Sequence, residues 1–343
     1  MKTMDDIAAK AGVARSTASG VLNGRDKKLR ISEETRKRVL AVAEEMGYRP
    51  NQLARTIAAG KSFVLGYLKQ GSLEQEEQIL DGVLREAADA GYLVKAMVRA
   101  TTGSVEDVAR QCSEYRLAGL IVRRPPTDET IALCNEIDAY GIPRVFVDDY
   151  IHMPDSYYVT SDDALGIRLS VEHILGLGHT DLAYFAGDSS HPQGFLRKNA
   201  FRNVMGEHGM VVHPEWVHDA KWDIKIAEQL TKRLFGGPGP NPTGIVCDGD
   251  EVAAGVLRAL ANIGLNVPHD VSVIGYSGLV FGDYLNPPLT TIAQPFEEIG
   301  RVAVRTLLNH VEAKAAGETG KLSGMELLPP VLVVRDSTAT PCR

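Results

Sequence analysis

The chain has 343 residues and only four cysteines. Cys112, Cys134, Cys247 and Cys342 stand far apart, with no Cys-x-x-Cys pair and no histidines at zinc-ligand spacing. That excludes a disulfide framework and a structural zinc site, and predicts reduced, mostly core thiols. The chain also lacks any run of about 18 apolar residues, which excludes a membrane-spanning helix. Its opening "MKTMDDIAAK" has acids where a secretory leader carries an uninterrupted apolar stretch, so a cytoplasmic protein is expected. Reactive motifs are missing too. "GYSGL" follows a strand pattern, but Leu279 takes the second flanking glycine position of Gly-x-Ser-x-Gly. "GLGHTD" ends in Asp181 and follows a helix pattern, which is wrong for a dinucleotide fingerprint. His208, His213 and His218 recur every five residues but straddle a helix end, a loop and a strand, so they read as surface histidines. No enzyme activity, metal or cofactor is expected.

What is present is a sizeable apolar fraction, 44%, enough for two or three domains. Net charge is −7 but unevenly spread. Residues 1–61 hold thirteen Lys and Arg against seven Asp and Glu, a net +6, leaving −13 on the remainder. A basic arm on an acidic body is the asymmetry of a separate polyanion-binding module.

Within that arm, Thr3-Met4-Asp5-Asp6 has the form of a capping box, and Ile7, Ala8 and Ala11 follow at helical spacing until Gly12. Val13, Ala18, Val21 and Leu22 make a narrow apolar stripe for a second helix, with Arg15, Ser16, Ser19, Gly20 and Asn23 facing away. A third helix follows in "ISEETRKRVLAVAEEMGY", capped by Ser32, with Val39, Leu40, Val42, Ala43 and Met46 inward. Two short helices joined by a glycine-containing turn make a helix-turn-helix. A helix entering a major groove about 12 Å wide needs short side chains and a few reaching ones, which accounts for the small residues of "GVARSTASGVLNG". Arg15 and Ser16 are candidates for base edges; Thr3, Thr17, Ser19, Asn23, Arg30, Ser32 and Thr35 suit phosphates. The alternative is an ordinary three-helix cap with a solvated basic face.

The run "MDDIAAKAGVARSTASGVLNG…ISEETRKRVLAVAEEMGYRPNQLARTIAAGKS" resembles the headpiece of the lactose-repressor/galactose-repressor family of bacterial transcription regulators. The likeness continues through "GIPRVFVDD", "HILGLGHTDLAYFAG", "TGIVCDGDEVAAGVLRALANIGLNVPHDVSVIGYSG", "LNPPLTTIAQPFEEIGRVAVRTLL" and "PPVLVVRDSTA". It implies a dimeric repressor of operator DNA, controlled by a small effector such as a sugar, sugar acid or sugar phosphate. The implied fold is an all-α helix-turn-helix headpiece (1–49), a hinge helix (50–61) and a two-lobed α/β domain with parallel sheets, like a type I periplasmic binding protein (62–343). The lobes would comprise 62–161 with 293–324 and 163–290 with 326–340, joined by three hinge-like crossings near 161–163, 289–292 and 324–328. No heptad tail follows Arg335, which favours a dimer. A periplasmic-type solute receptor without DNA function is the competing reading.

The headpiece departs from the family pattern at Ala14, where serine usually caps the second helix, and at Gly20, where a larger side chain usually reaches the bases. The insertion "RDKKLR" lengthens the following loop. Glycine reads no base edge, so one outer position of each half-site is expected to be read loosely, with affinity leaning on phosphates. In the hinge segment Asn51, Arg55 and Ile57 are the candidate contacts, Ile57 standing where the family uses an apolar wedge in the minor groove.

The body alternates short apolar runs with amphipathic stretches, and the rhythm restarts at about Asp163, giving two α/β lobes with a cleft. Ligands in such sheets bind beyond the carboxyl ends of strands, which points to Lys69, Gln70, Arg123, Arg124, Asp148, Asp149, Asp188, Asp250, Ser277 and Gly278. The resemblance implies effector contacts for Asp148, Arg197 and Asp250. Arg123-Arg124 in place of small residues, and Ser277-Gly278 in place of acids, favour an anionic effector.

Overall fold

The computed structural model describes residues 3–22, 26, 29–48, 61–69, 71–98, 104–123, 128–148 and 156–342. They fall into two units, Met1–Phe63 and Val64–Arg343. Among the described residues no helix is long and apolar enough to cross a membrane.

The smaller unit is built from α1 (Met4–Ala11), α2 (Arg15–Leu22) and α3 (Glu33–Glu45). The capping box starts α1: Thr3 Oγ1 accepts from the Asp6 amide at 3.3 Å, and Asp6 Oδ2 from the Thr3 amide at 2.8 Å. Gly12, at φ 65°, stops it in the left-handed conformation that glycine takes without penalty. Ala14 offers α2 only its carbonyl, which accepts from Thr17 and Ala18. Ser32 Oγ caps α3 through the Thr35 amide. Ile7, Ala8, Ala11, Ala18, Val21, Val39 and Ala43 close the core, with Val42 and Met46 partly buried against it. Leu40 does not join it: it stays 39% exposed, because Val39 and Ala43, one helical turn apart, already define the inward line of α3.

The larger unit holds two six-stranded sheets. The first runs β11-β5-β4-β3-β1-β2, all parallel, from β1 (Val64–Lys69), β2 (Leu93–Val98), β3 (Gly119–Val122), β4 (Arg144–Val147), β5 (Tyr157–Ser161) and β11 (Gly324–Leu328). The second runs β12-β10-β9-β8-β6-β7, from β6 (Leu182–Ala186), β7 (Val217–Asp219), β8 (Gly244–Cys247), β9 (Ser272–Ser277), β10 (Thr290–Ala293) and β12 (Val331–Val333). Only β12 is antiparallel to its neighbour. Helices α4 (Glu74–Asp89), α5 (Val105–Glu114) and α6 (Asp128–Ala139) connect the first sheet; α7 (Asp163–Gly176), α8 (Pro192–Glu207), α9 (Ile224–Gly236) and α10 (Asp250–Asn262) serve the second. The long α11 (Phe296–Ala315) returns to the first lobe and packs along α4. There Gly82 meets the Glu297 carbonyl and Gly300 the Ile79 carbonyl so closely that a Cβ at either position would collide with backbone.

The chain passes between lobes at Asp162, after Ala293, and after Leu328. The last two passages correct the expected ones at 289–292 and 324–328, because Thr290–Ala293 pairs with β9 inside the second sheet and Gly324–Leu328 pairs in full with Tyr157–Ser161 as an edge strand of the first. His208 follows α8, His213 precedes a short 3-10 turn and His218 lies on β7, its ring edge-on to Phe185.

Candidate functional site

In each sheet the first strand of the lobe, β1 or β6, lies between the strand that follows it and the strand the chain next crosses over to reach, β3 or β8. That is a topological switch point, where the helices diverge and a crevice opens at the strand ends. Tyr67 and Lys69 on β1, Arg123 after β3, Gly187 after β6 and Asp248 after β8 all stand there.

On the first lobe, Arg123 reaches Asp148 Oδ2 with Nε at 3.1 Å and Nη2 at 2.7 Å, and its Nη1 lies 3.7 Å from the fully buried Glu76. Burial works against the Arg123 charge, but Asp148 and Glu76 outweigh it and raise its pKa. Lys69 is tied to Glu77. The Tyr67 hydroxyl is buried beside Glu76, Arg123 and Asp148, has no hydrogen-bond partner among the described residues, and is held protonated chiefly by burial. Asp148 sits at φ 54°, in the left-handed region that aspartate tolerates better than most side chains.

On the second lobe, Arg197 of α8 is 4% exposed and is the hub of a buried polar cluster. Its Nη1 donates to Asp248 Oδ1 at 2.9 Å, its Nε lies 3.0 Å from Asp163 Oδ1, and its guanidinium stacks 4.1 Å over the Tyr276 ring. Tyr276 donates to Asp163 at 2.8 Å, and Asp248 Oδ2 accepts from the Gly187 amide at 2.7 Å. Burial pushes Asp248 up to about 6 against the pull of Arg197, and raises Asp163 as well. Trp222, at φ 53°, donates Nε1 to the Asp248 carbonyl at 3.0 Å and lies edge-on to His191. Its indole fills the space above Gly187 and reaches Gly249, where an added Cβ would stand 3.2 Å from Trp222 Cδ1. The missing side chain at Gly249 thus leaves room for the indole.

The lobes touch across the cleft: Gln193 Nε2 donates to the Asp148 carbonyl at 3.2 Å, and the Val280 amide donates to Glu74 Oε1 at 2.7 Å. Asp250, expected among the effector contacts, is turned inward instead. Its carboxylate accepts from Thr291 Oγ1 at 2.6 Å and from the Leu279 amide at 2.7 Å, pinning the β9 exit to β10, and burial raises it to about 6. Ser277 lies in that exit, mostly buried at φ 126°. Asp188 is occupied by Ser190. The expected anionic effector meets a difficulty: Lys69, Arg123 and Arg197 are each already matched by one or two carboxylates. Arg124, Gln70 and Asp149 lie outside the described residues.

In the smaller unit, Arg15 and Ser16 are exposed at the start of α2, Arg15 Nε being 3.3 Å from Asp5 Oδ1. Thr17 and Ser19 are half-buried and Arg30 is exposed at φ 53°. Thr3 and Ser32 are exposed helix caps, and Thr35 accepts from the Ser32 hydroxyl. Gly20, expected on the groove-facing side, is buried, because Leu29 lies over it: a Cβ on Gly20 would be 2.5 Å from Leu29 Cδ1. Asn23, Asn51, Arg55 and Ile57 lie outside the described residues. Trp222, Asp248, Asp163, Glu76 and Tyr67 escaped sequence reasoning; the signal for Asp248 was an acid directly after a buried strand.

Residues 3–51 match the family described as bacterial regulatory proteins, lacI family, and residues 171–338 match a periplasmic binding protein-like domain. The HTH-type transcriptional regulator reg1 of Streptomyces lividans is 30% identical over 98% of this chain and 96% of its own length. The lactose operon repressor of Escherichia coli is 29% identical over 99% of this chain and 91% of its own. A crystal structure of the lac repressor dimer bound to operator and the anti-inducer ONPF is similar at a TM-score of 0.77 and 29% identity, covering 98% of this chain and 99% of that one.

Proposed function

This chain belongs to the LacI family of bacterial regulatory proteins, and from that premise we propose that it is a dimeric, cytoplasmic transcription repressor that binds operator DNA and releases or tightens it in response to a small ligand held between its lobes. Arg15 reads a guanine, Ser16 assists, and Thr3, Thr17, Ser19, Arg30, Ser32 and Thr35 meet phosphates. The protein acts by binding, not by catalysis. The lac repressor structure bound to operator and ONPF supports both halves of this reading.

The ligand is a neutral sugar, not a sugar acid or sugar phosphate. One observation carries this choice: Arg123 is neutralised by Asp148 and Glu76, and Arg197 by Asp163 and Asp248, so an added anion would face an acid surplus. Ion-paired guanidiniums and carboxylates are instead fixed donors and acceptors for hydroxyls. Tyr67 adds a buried hydroxyl that a sugar would satisfy, and the Trp222 indole a flat apolar face for ring C–H groups. Asp148, Arg197, Arg123, Tyr67 and Trp222 are assigned to the ligand, and Lys69, Asp250 and Ser277 to the scaffold around it. A thermal-shift screen tests the assignment, since a ligand of the folded state raises the melting temperature. Neutral sugars are expected to do so where the matching sugar acids and phosphates do not; the reverse order overturns the choice of ligand class.

A further inference from the structure

We propose that Leu29, a residue of the loop after α2, reads the operator at the position Gly20 leaves without a side chain, and that it recognises the 5-methyl group of a thymine. This rests on α2 being the DNA-reading helix.

Ser16 and Gly20 are one turn apart on α2, so their Cβ directions share a face. Ser16 is exposed on that face, with Arg15 beside it. Gly20 is covered by Leu29 and Ile31, whose Cδ1 atoms would stand 2.5 and 3.1 Å from an added Cβ; of the two, Ile31 packs against the three-helix core and Leu29 does not belong to it. Leu29 nevertheless remains 53% exposed. It therefore occupies the space a side chain at position 20 would enter and still presents its outer methyl groups on the side where Ser16 is open. Its position is fixed from both ends. The Ile31 amide donates to the Asp26 carbonyl at 2.9 Å, and the Asp26 carboxylate lies 3.4 Å from Arg36 Nε of α3.

A leucine cannot form hydrogen bonds with a base edge. In the major groove the one apolar group a base pair displays is the thymine methyl, which distinguishes A·T from both G·C orientations and fixes which strand carries the thymine. The position expected to be loosely read is thus read by a different residue and by a different chemistry, apolar contact in place of a hydrogen bond.

The test uses the full chain. An operator selected from random duplexes is compared by fluorescence anisotropy with the same duplex carrying deoxyuridine, which lacks the methyl, at the thymine facing Gly20. The wild type is expected to lose about four-fold in affinity per half-site, the effect of withdrawing one buried methyl group. Leu29→Ala is expected to bind both duplexes alike, at close to the wild-type affinity for the deoxyuridine duplex, while Leu29→Met keeps a preference for thymine. Should Leu29→Ala melt too low to assay, the wild-type and Leu29→Met responses decide. A selected operator with no thymine at that position, or an equal loss for all three proteins on deoxyuridine, overturns the role of Leu29 alone. Failure to enrich any duplex overturns the DNA-reading role of α2 together with it.

Discussion

Arg197 holds two buried aspartates with one guanidinium, so with every group ionised the cluster carries one surplus negative charge away from water. Asp248 answers by keeping its proton up to about 6, against 3.8 for the ordinary side chain, and Asp250 does the same in a separate buried site. Between pH 4 and 6 the folded chain then holds more protons at these sites than the unfolded chain. Their contribution to stability is full below that window and falls as pH rises through it. Carboxyl 13C spectra should show two aspartates titrating near pH 6, and Asp248→Asn should remove one of the two inflections; titration of both at ordinary values would refute the burial argument. Arg197→Met leaves Asp163 and Asp248 without their cation and should cost about 3–5 kcal/mol in chemical denaturation, the range for breaking a buried ion pair. Arg15→Ala should cost about 1–3 kcal/mol on the selected operator and flatten one position of the binding preference, as measured by competition with variant duplexes. At this scale the places of Arg197 and Asp148 at the cleft were legible because the surrounding motifs carry them. Trp222 was not: its role depends on Gly187 and Gly249, which approach it only after β6, β8 and α9 assemble. Gly20 was read as an open gap because the loop residue that fills it is nine positions away and follows no periodic pattern.

Among the elements, the crossing of α4 and α11 is the most demanding contact of the first lobe. Gly82 and Gly300 let the two helices meet backbone to backbone, and the atoms facing them are main-chain carbonyls and amides that cannot swing aside. Gly300→Ala should therefore destabilise, by about 1–3 kcal/mol in the manner of an overpacked core, although alanine ordinarily favours a helix interior. A thermal melt in which the variant is as stable as the wild type would refute the close crossing. Helices with a clear apolar face, such as α4, α10 and α11, were legible from periodicity, and so were the central strands, buried on both faces as continuous apolar runs. The edge strand β11, "GMELL", was not, because it alternates exposed and half-buried residues and its place is set by pairing with β5, more than 160 residues earlier. Leu40 shows the opposite failure: helical spacing admitted it to the core of the smaller unit, but Val39 and Ala43 set the inward line of α3 and leave it exposed.

For the whole molecule, the charge division and the two-lobed rhythm were legible from the sequence, because both are sums over many residues. The bridging contacts Gln193 to Asp148 and Glu74 to Val280 were not, since each joins side chain to backbone across lobes. That a basic three-helix unit reads duplex DNA is checked most directly by measuring the affinity of the full chain for its selected operator across a series of salt concentrations. Tight binding is expected at low salt, with a steep linear fall of log K against log salt whose slope reflects several displaced counterions per complex. Absence of binding to any duplex at low salt, or an affinity indifferent to salt, would contradict it.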